Sequence, residues 1–149
     1  MKSIRNTLLT LSLCASALPA CAAAPSALGV SGCWVRAMPG DLPSGGYFDL
    51  TNAGDRDVAL VAVESRAFGM AMLHRTLSEG STSTMAMVDH VTVPAHGGVK
   101  FEPGGYHVML EHPAAPLKMN ARIAMTFAFS DGSKIASTCV VKPPATLAP

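Results

Sequence analysis

The sequence predicts an all-β domain, a sandwich or barrel built from short strands. Three observations predict it. Apolar and polar residues alternate through runs such as "YHVMLE" and "RIAMTFAF", which places one set of side chains on each face of a strand. Glycine-bearing turns interrupt these runs at short intervals. No segment sustains a 3.6-residue apolar period, so little helix is expected.

Strands are expected at Val30–Arg36, Tyr47–Asn52, Ala59–Ser65, Ala71–Leu77 and Thr84–Val93. Four more follow at Gly98–Phe101, Tyr106–Glu111, Arg122–Phe129 and Lys134–Val141. Pro39-Gly40-Asp41, Ser44-Gly45-Gly46, Ala53-Gly54-Asp55, Glu79-Gly80, His96-Gly97-Gly98 and Pro103-Gly104-Gly105 separate them with turn-forming residues. Asp131-Gly132, between "AFS" and "SKI", is a hairpin signal. The end of the chain, "KPPATLAP", has no core-forming pattern, and residues 143–149 are expected to form a flexible tail.

The first residues read as a secretory leader. Lys2 and Arg5 form a positive n-region, Thr7 to Ala20 is uncharged and mostly apolar, and A-x-A sites follow at Ala20–Ala22 and Ala22–Ala24. This stretch is too short for a membrane span. A signal peptide at 1–24 leaves a domain at 25–142, one domain by length. Cys21 opens a second reading, a lipoprotein beginning at that cysteine. Pro19 fits a lipobox poorly, so the free periplasmic form is expected, with the membrane involved only if Cys21 is lipidated. The formal net charge is +1, near neutral, with no basic run. That gives no footprint for nucleic acid.

Cys14 and Cys21 leave with the leader, and Cys33 and Cys139 remain near the two ends of the domain. In an oxidising compartment they are most simply a disulfide between the first and last strands. The rival is a redox or metal-binding thiolate pair, for which the C-x-x-C spacing is absent.

The chain has nine methionines and five histidines. Met70 and Met72, Met72 and His74, Met85 and Met87, and His107 and Met109 are each spaced by two, so each pair shares one face of an extended segment. On the opposite face, Val108 and Leu110 suit a core. Methionine often fills irregular core gaps, and Met125, within "RIAMTFAF", is expected there; Met38 and Met119 sit beside turns. His90, His96 and His112 read as surface or turn residues. His74 and His107 differ because thioethers accompany them. Thioethers are soft, neutral donors that suit Cu(I), while imidazole accepts either copper oxidation state or zinc. Such a set holds Cu(I) without thiolates, which an oxidising compartment would convert to disulfides.

The spacing of His74, Met85, His107 and Met109 is H-x10-M-x21-H-x-M. This resembles the metal-binding signature of the periplasmic copper chaperones of the PCuAC family. "CWVRAMPG", "GGYFDLTNAGD", "LHRTLSEG" and "VPAHGGVKFEPGGYHVMLEHPAAPLK" extend the likeness over residues 30–142. The resemblance implies a cupredoxin-like, Greek-key β-barrel or sandwich binding one Cu(I) per chain through those four side chains. It also implies a monomeric carrier that delivers copper to the copper-site subunit of cytochrome c oxidase, or works with a Sco-type protein. General copper storage or resistance is the alternative. Some relatives carry a His- and Met-rich C-terminal extension, which "KPPATLAP" lacks. Met72 and Met87 are read as a soft rim, with auxiliary donors as the alternative.

An enzyme is not expected. No Gly-x-Ser-x-Gly elbow appears, and a blue-copper centre needs a Cys thiolate with nearby histidine, which Cys139 lacks. An immunoglobulin-like binding module would place its tryptophan mid-chain, whereas Trp34 adjoins Cys33.

Overall fold

Ten strands joined by short connections make one continuous sheet in a computed structural model, whose described residues are 27–148. The expected leader at 1–24, with Cys14 and Cys21, lies outside the described residues. In chain order the strands are β1 (Leu28–Arg36), β2 (Ser44–Asn52), β3 (Val58–Glu64), β4 (Phe68–Glu79) and β5 (Thr82–Met87). Then come β6 (Val91–Val93), β7 (Gly97–Phe101), β8 (Tyr106–Pro113), β9 (Arg122–Phe129) and β10 (Lys134–Lys142). No helix occurs among the described residues.

Across the sheet the order is β5-β4-β8-β7-β2-β1-β10-β9-β3-β6, and β8 also pairs directly with β2. Neighbours run antiparallel except β1 beside β10 and a short meeting of β7 with β8. The sheet curls back so that β3 packs near β4, and β6 near β7 and β2.

One expected strand, residues 84–93, is two. Met87 ends β5 on the edge of β4, and the Val88 amide still donates to the Leu73 carbonyl at 2.9 Å. The chain then crosses to the other end of the sheet, where Val91 and Val93 pair with β3 and enter the core. The break carries a change of phase: Ala86 and Val88, at even positions, are the partly buried residues before it, and Val91 and Val93, at odd positions, are buried after it.

Alternation sets the core. Val35, Phe48, Leu50, Leu73, Val108, Leu110, Met125, Phe127 and Val141 all point inward and are buried. Phe48 stacks on Phe101 with ring centroids 4.3 Å apart and meets Phe127 edge-on at 4.7 Å. Burying each large apolar side chain contributes about 1.5–3 kcal/mol. The Asp131-Gly132 hairpin forms as its sequence predicts: Gly132 has φ 84°, and the Ser133 amide donates to Asp131 Oδ1 at 2.9 Å.

Cys33 and Cys139 form a disulfide, with Cα atoms 4.5 Å apart and a sequence separation of 106. It joins neighbouring strands β1 and β10 of one sheet, unlike the inter-sheet bridge of an immunoglobulin domain. Closing a loop of about 100 residues stabilises the fold by about 4.7 kcal/mol in the chain-entropy view.

Candidate metal centre

Strand β8 answers the question its alternation poses. Val108 and Leu110, 0% and 1% exposed, lie in the core, and His107 and Met109 take the opposite face. Strand register brings the other soft side chains to that same face. His74 on β4 lies directly opposite His107, and Met72 opposite Met109. On the other edge of β4, His74 faces Met87 and Thr76 faces Met85 on β5.

The His107 row continues across the molecule. On β2, Gly45 pairs with Met109, which puts Tyr47 beside His107, their ring centroids 6.4 Å apart. Tyr47 in turn pairs with Trp34 on β1, ring centroids 4.4 Å apart. Trp34 and Tyr47 are thus buried on the outward face, away from the main core cluster. The Lys142 ammonium covers Trp34 at 5.6 Å from its ring centroid, and the Arg36 guanidinium covers Tyr47 at 5.2 Å. Cations over aromatic faces are attracted by the ring quadrupole.

The four residues expected as ligands come together. His74 stacks beside His107 with ring centroids 5.9 Å apart. Met85, His107 and Met109 line one cavity of about 90 Å³, walled also by Arg36, Tyr47 and Thr76. His74 stands at its margin through its contact with His107, outside the lining. Met72 and Met87 flank the group and, like His74, do not line the cavity. Met85 is 63% exposed and His107 only 6%, so the site is open on its β5 side and closed toward β2.

Both imidazoles are oriented alike. His107 Nδ1 is 3.2 Å from the Gly105 carbonyl oxygen, and His74 Nδ1 is 3.4 Å from that of Met72. A backbone acceptor at Nδ1 favours the tautomer carrying its proton there and leaves Nε2 with a free lone pair. Burial pushes the pKa of His107 below the usual imidazole range; the Gly105 hydrogen bond opposes this, while the charges of His74 and Arg36 add to it. A neutral ring is the form that donates to a metal. Burial also raises the Tyr47 phenol, with Arg36 acting the other way.

The donor chemistry fits a soft monovalent ion. Two imidazoles and two thioethers are all neutral, and among the described residues no group of three or more His, Cys, Asp or Glu could hold a metal. Hard cations and structural zinc sites call for carboxylates or thiolates. The remaining histidines lie elsewhere: His96 Nε2 pairs with Asp55 at 2.9 Å in a turn, and His90 and His112 are exposed. Met125 is in the core as expected, and Met119 is exposed.

Sequence reasoning did not assign Arg36, Gly45 or Tyr47 to the site. Their signal is period two in "WVR" and "GGY", where Val35 and Gly46 face inward and their neighbours outward. A Cβ added to Gly45 would stand 2.5 Å from Tyr47 Oη and under 3 Å from its ring carbons. The missing side chain is what lets the phenol lie across β2.

Known proteins resemble this chain in sequence and in fold. It is 34% identical over 136 residues to "Putative lipoprotein Lxx21020" of Leifsonia xyli subsp. xyli, covering 88% of this chain and 81% of that one. It is 29% identical over 89 residues to a Rickettsia prowazekii protein, RP573, and spans 49% of that protein's length. Among solved structures, Cu(I)-loaded DR1885 of Deinococcus radiodurans superposes with a TM-score of 0.62 at 30% identity, covering 82% of this chain and 81% of that one. The copper-bound PCuAC domain from PmoF2 gives 0.69 at 24% identity over 82% and 97% of the two chains, a likeness of fold. The ten-stranded all-β arrangement is therefore the cupredoxin-like fold of PCuAC domains. The model of the LpqE-like family matches residues 28–141, nearly the whole sheet. The chain belongs to that LpqE-like family, of PCuAC type.

Proposed function

We propose that this protein is an exported carrier of Cu(I), binding one ion through His74, Met85, His107 and Met109 and passing it to a respiratory oxidase under assembly. The observation that carries the reading is convergence: residues up to 35 positions apart in sequence share one outward patch, and Met85, His107 and Met109 share one cavity. The copper-bound states of the Deinococcus protein and of the PmoF2 domain support it.

The arrangement suits transfer more than permanent retention. His107, buried and oriented by Gly105, is a fixed anchor. Met85, on the exposed β4–β5 hairpin, is the donor an acceptor's ligand can displace first. Neutral thioethers make each exchange easy because no charge is stranded when one leaves. The site offers no nucleophile activated by a base, so a carrier, and not a catalyst, is the role these residues support. The acceptor proposed is the copper-site subunit of cytochrome c oxidase or a Sco-type partner. The lipoprotein wording of the family and of the Leifsonia relative supports export, and the mass of the mature N-terminus distinguishes a free chain from one lipidated at Cys21.

Anaerobic titration against a Cu(I) chelator should give a stoichiometry of one. Met85→Ala combined with Met109→Ala should bind at least about 100-fold more weakly, because even the loss of a group supporting a ligand costs 10–100-fold. Unchanged affinity in that variant would refute the ligand set. Deleting the gene and measuring oxidase activity at limiting and ample copper tests delivery. A defect rescued by added copper is expected, and normal activity at limiting copper would point to storage or resistance.

A further inference from the structure

The donor cavity contains one formal charge, and it has the sign of the cargo. We infer that Arg36 sets the valence selectivity of the site, making a divalent ion a poorer occupant than a monovalent one. The inference rests on the Cu(I) reading above. Arg36 lines the cavity with Met85, His107 and Met109. Cross-strand register places it opposite Gly45, which is itself opposite Met109. Gly45 has no side chain, so only the edge of the Tyr47 phenol stands between guanidinium and thioether in that row.

Nothing on that face neutralises this charge. Among the described residues Arg36 makes no ion pair, and its buried Nε has no hydrogen-bond partner. The guanidinium rests on the Tyr47 ring, and its neighbour on β10 is a second cation, Lys142. The acids on the same face lie outside the cavity: Glu111 beyond Met109, opposite Met70, and Asp49 beyond Tyr47, opposite Lys100. Unlike an imidazole or an amine, a guanidinium stays charged at any working pH.

The four donors are neutral, so the long-range electrostatic energy of the occupant is its own charge times the potential that Arg36 provides. That energy doubles from a monovalent to a divalent ion. At an effective dielectric near 20, one elementary charge across such a site alters affinity by about tenfold for a monovalent ion and about 100-fold for a divalent one. A neutral donor set alone weakly favours Cu(I); the fixed cation extends that preference against Cu(II) and Zn(II).

The test compares wild type, Arg36→Gln and Arg36→Lys by anaerobic Cu(I) competition, Cu(II) titration and the potential of bound copper. In Arg36→Gln, Cu(I) should bind about tenfold and Cu(II) about 100-fold more tightly. The potential should then fall by about 59 mV, the value of a tenfold ratio for one electron. Arg36→Lys, which keeps the charge, should stay near wild type. An unchanged Cu(I)/Cu(II) ratio in Arg36→Gln, or Arg36→Lys behaving like Arg36→Gln, would overturn the inference. Thermal melts and Trp34 fluorescence check the fold, and Arg36→Leu, which removes the charge without adding a donor, takes the place of Arg36→Gln if the glutamine variant does not fold. Wild type that binds no Cu(I) would overturn the carrier reading itself, a result visible before any Arg36 variant is made.

Discussion

On the two faces of β8, Leu110 and His107 are almost equally dry and serve different ends. Leu110 is 1% exposed and His107 6%. Leu110 meets the aliphatic and aromatic residues of the main core, whereas His107 meets Tyr47, His74 and the wall formed by Arg36. Burial by itself therefore does not separate packing from function. What separates them is whether the buried atom has an unspent valence: Leu110 has none, and His107 has Nε2.

The largest expected effects come from crossing the two faces. Leu110→Ala should cost about 2–5 kcal/mol of stability, the range for deleting a buried leucine, with little change in copper affinity of the folded protein. His107→Ala should lower copper affinity by more than about 100-fold at a smaller cost in stability. Denaturant unfolding paired with chelator competition reads both quantities. If Leu110→Ala weakened copper binding as much as His107→Ala, the two faces would not be independent.

A smaller effect is expected where the outward face touches its own support. Gly45→Ala drives a methyl against the Tyr47 ring and should cost about 1–3 kcal/mol, as overpacking does. Because Tyr47 packs on Trp34, near-UV circular dichroism should change with it. An unaltered aromatic spectrum would show that the ring has room the register does not reveal. The smallest effect is assigned to Met87→Ala. A rim residue that is well exposed should change copper affinity by no more than about threefold, within the usual range for surface substitutions. A loss matching that of Met85→Ala would make Met87 a ligand.

The same contrast explains what could be read from the sequence. Face assignment in β8, β4 and β5 was legible because parity is a local property: His107 and Met109 must share a side wherever the strand goes. Spacing singled out His74, Met85, His107 and Met109, and the Cys33–Cys139 pairing followed from compartment and count. The parts of the cavity contributed by Arg36, Gly45 and Tyr47 were not legible, because they depend on β1, β2 and β8 being neighbours. Neighbour order is a long-range outcome, fixed by closing chain segments that local alternation does not relate. The break at Val88–His90 leaves a local mark, a shift of the inward residues from even positions (Ala86, Val88) to odd ones (Val91, Val93), but the strand that β6 then joins is again a long-range outcome.

The bridge between Cys33 and Cys139 ties strand β1 to strand β10 and turns the domain into a covalent ring. A protease cutting any loop between those two residues would open the ring but release no fragment, so a nicked molecule keeps its parts and its chance to re-form. The bridge also occupies both thiols among the described residues, so while it is intact neither Cys33 nor Cys139 can serve as a reductant.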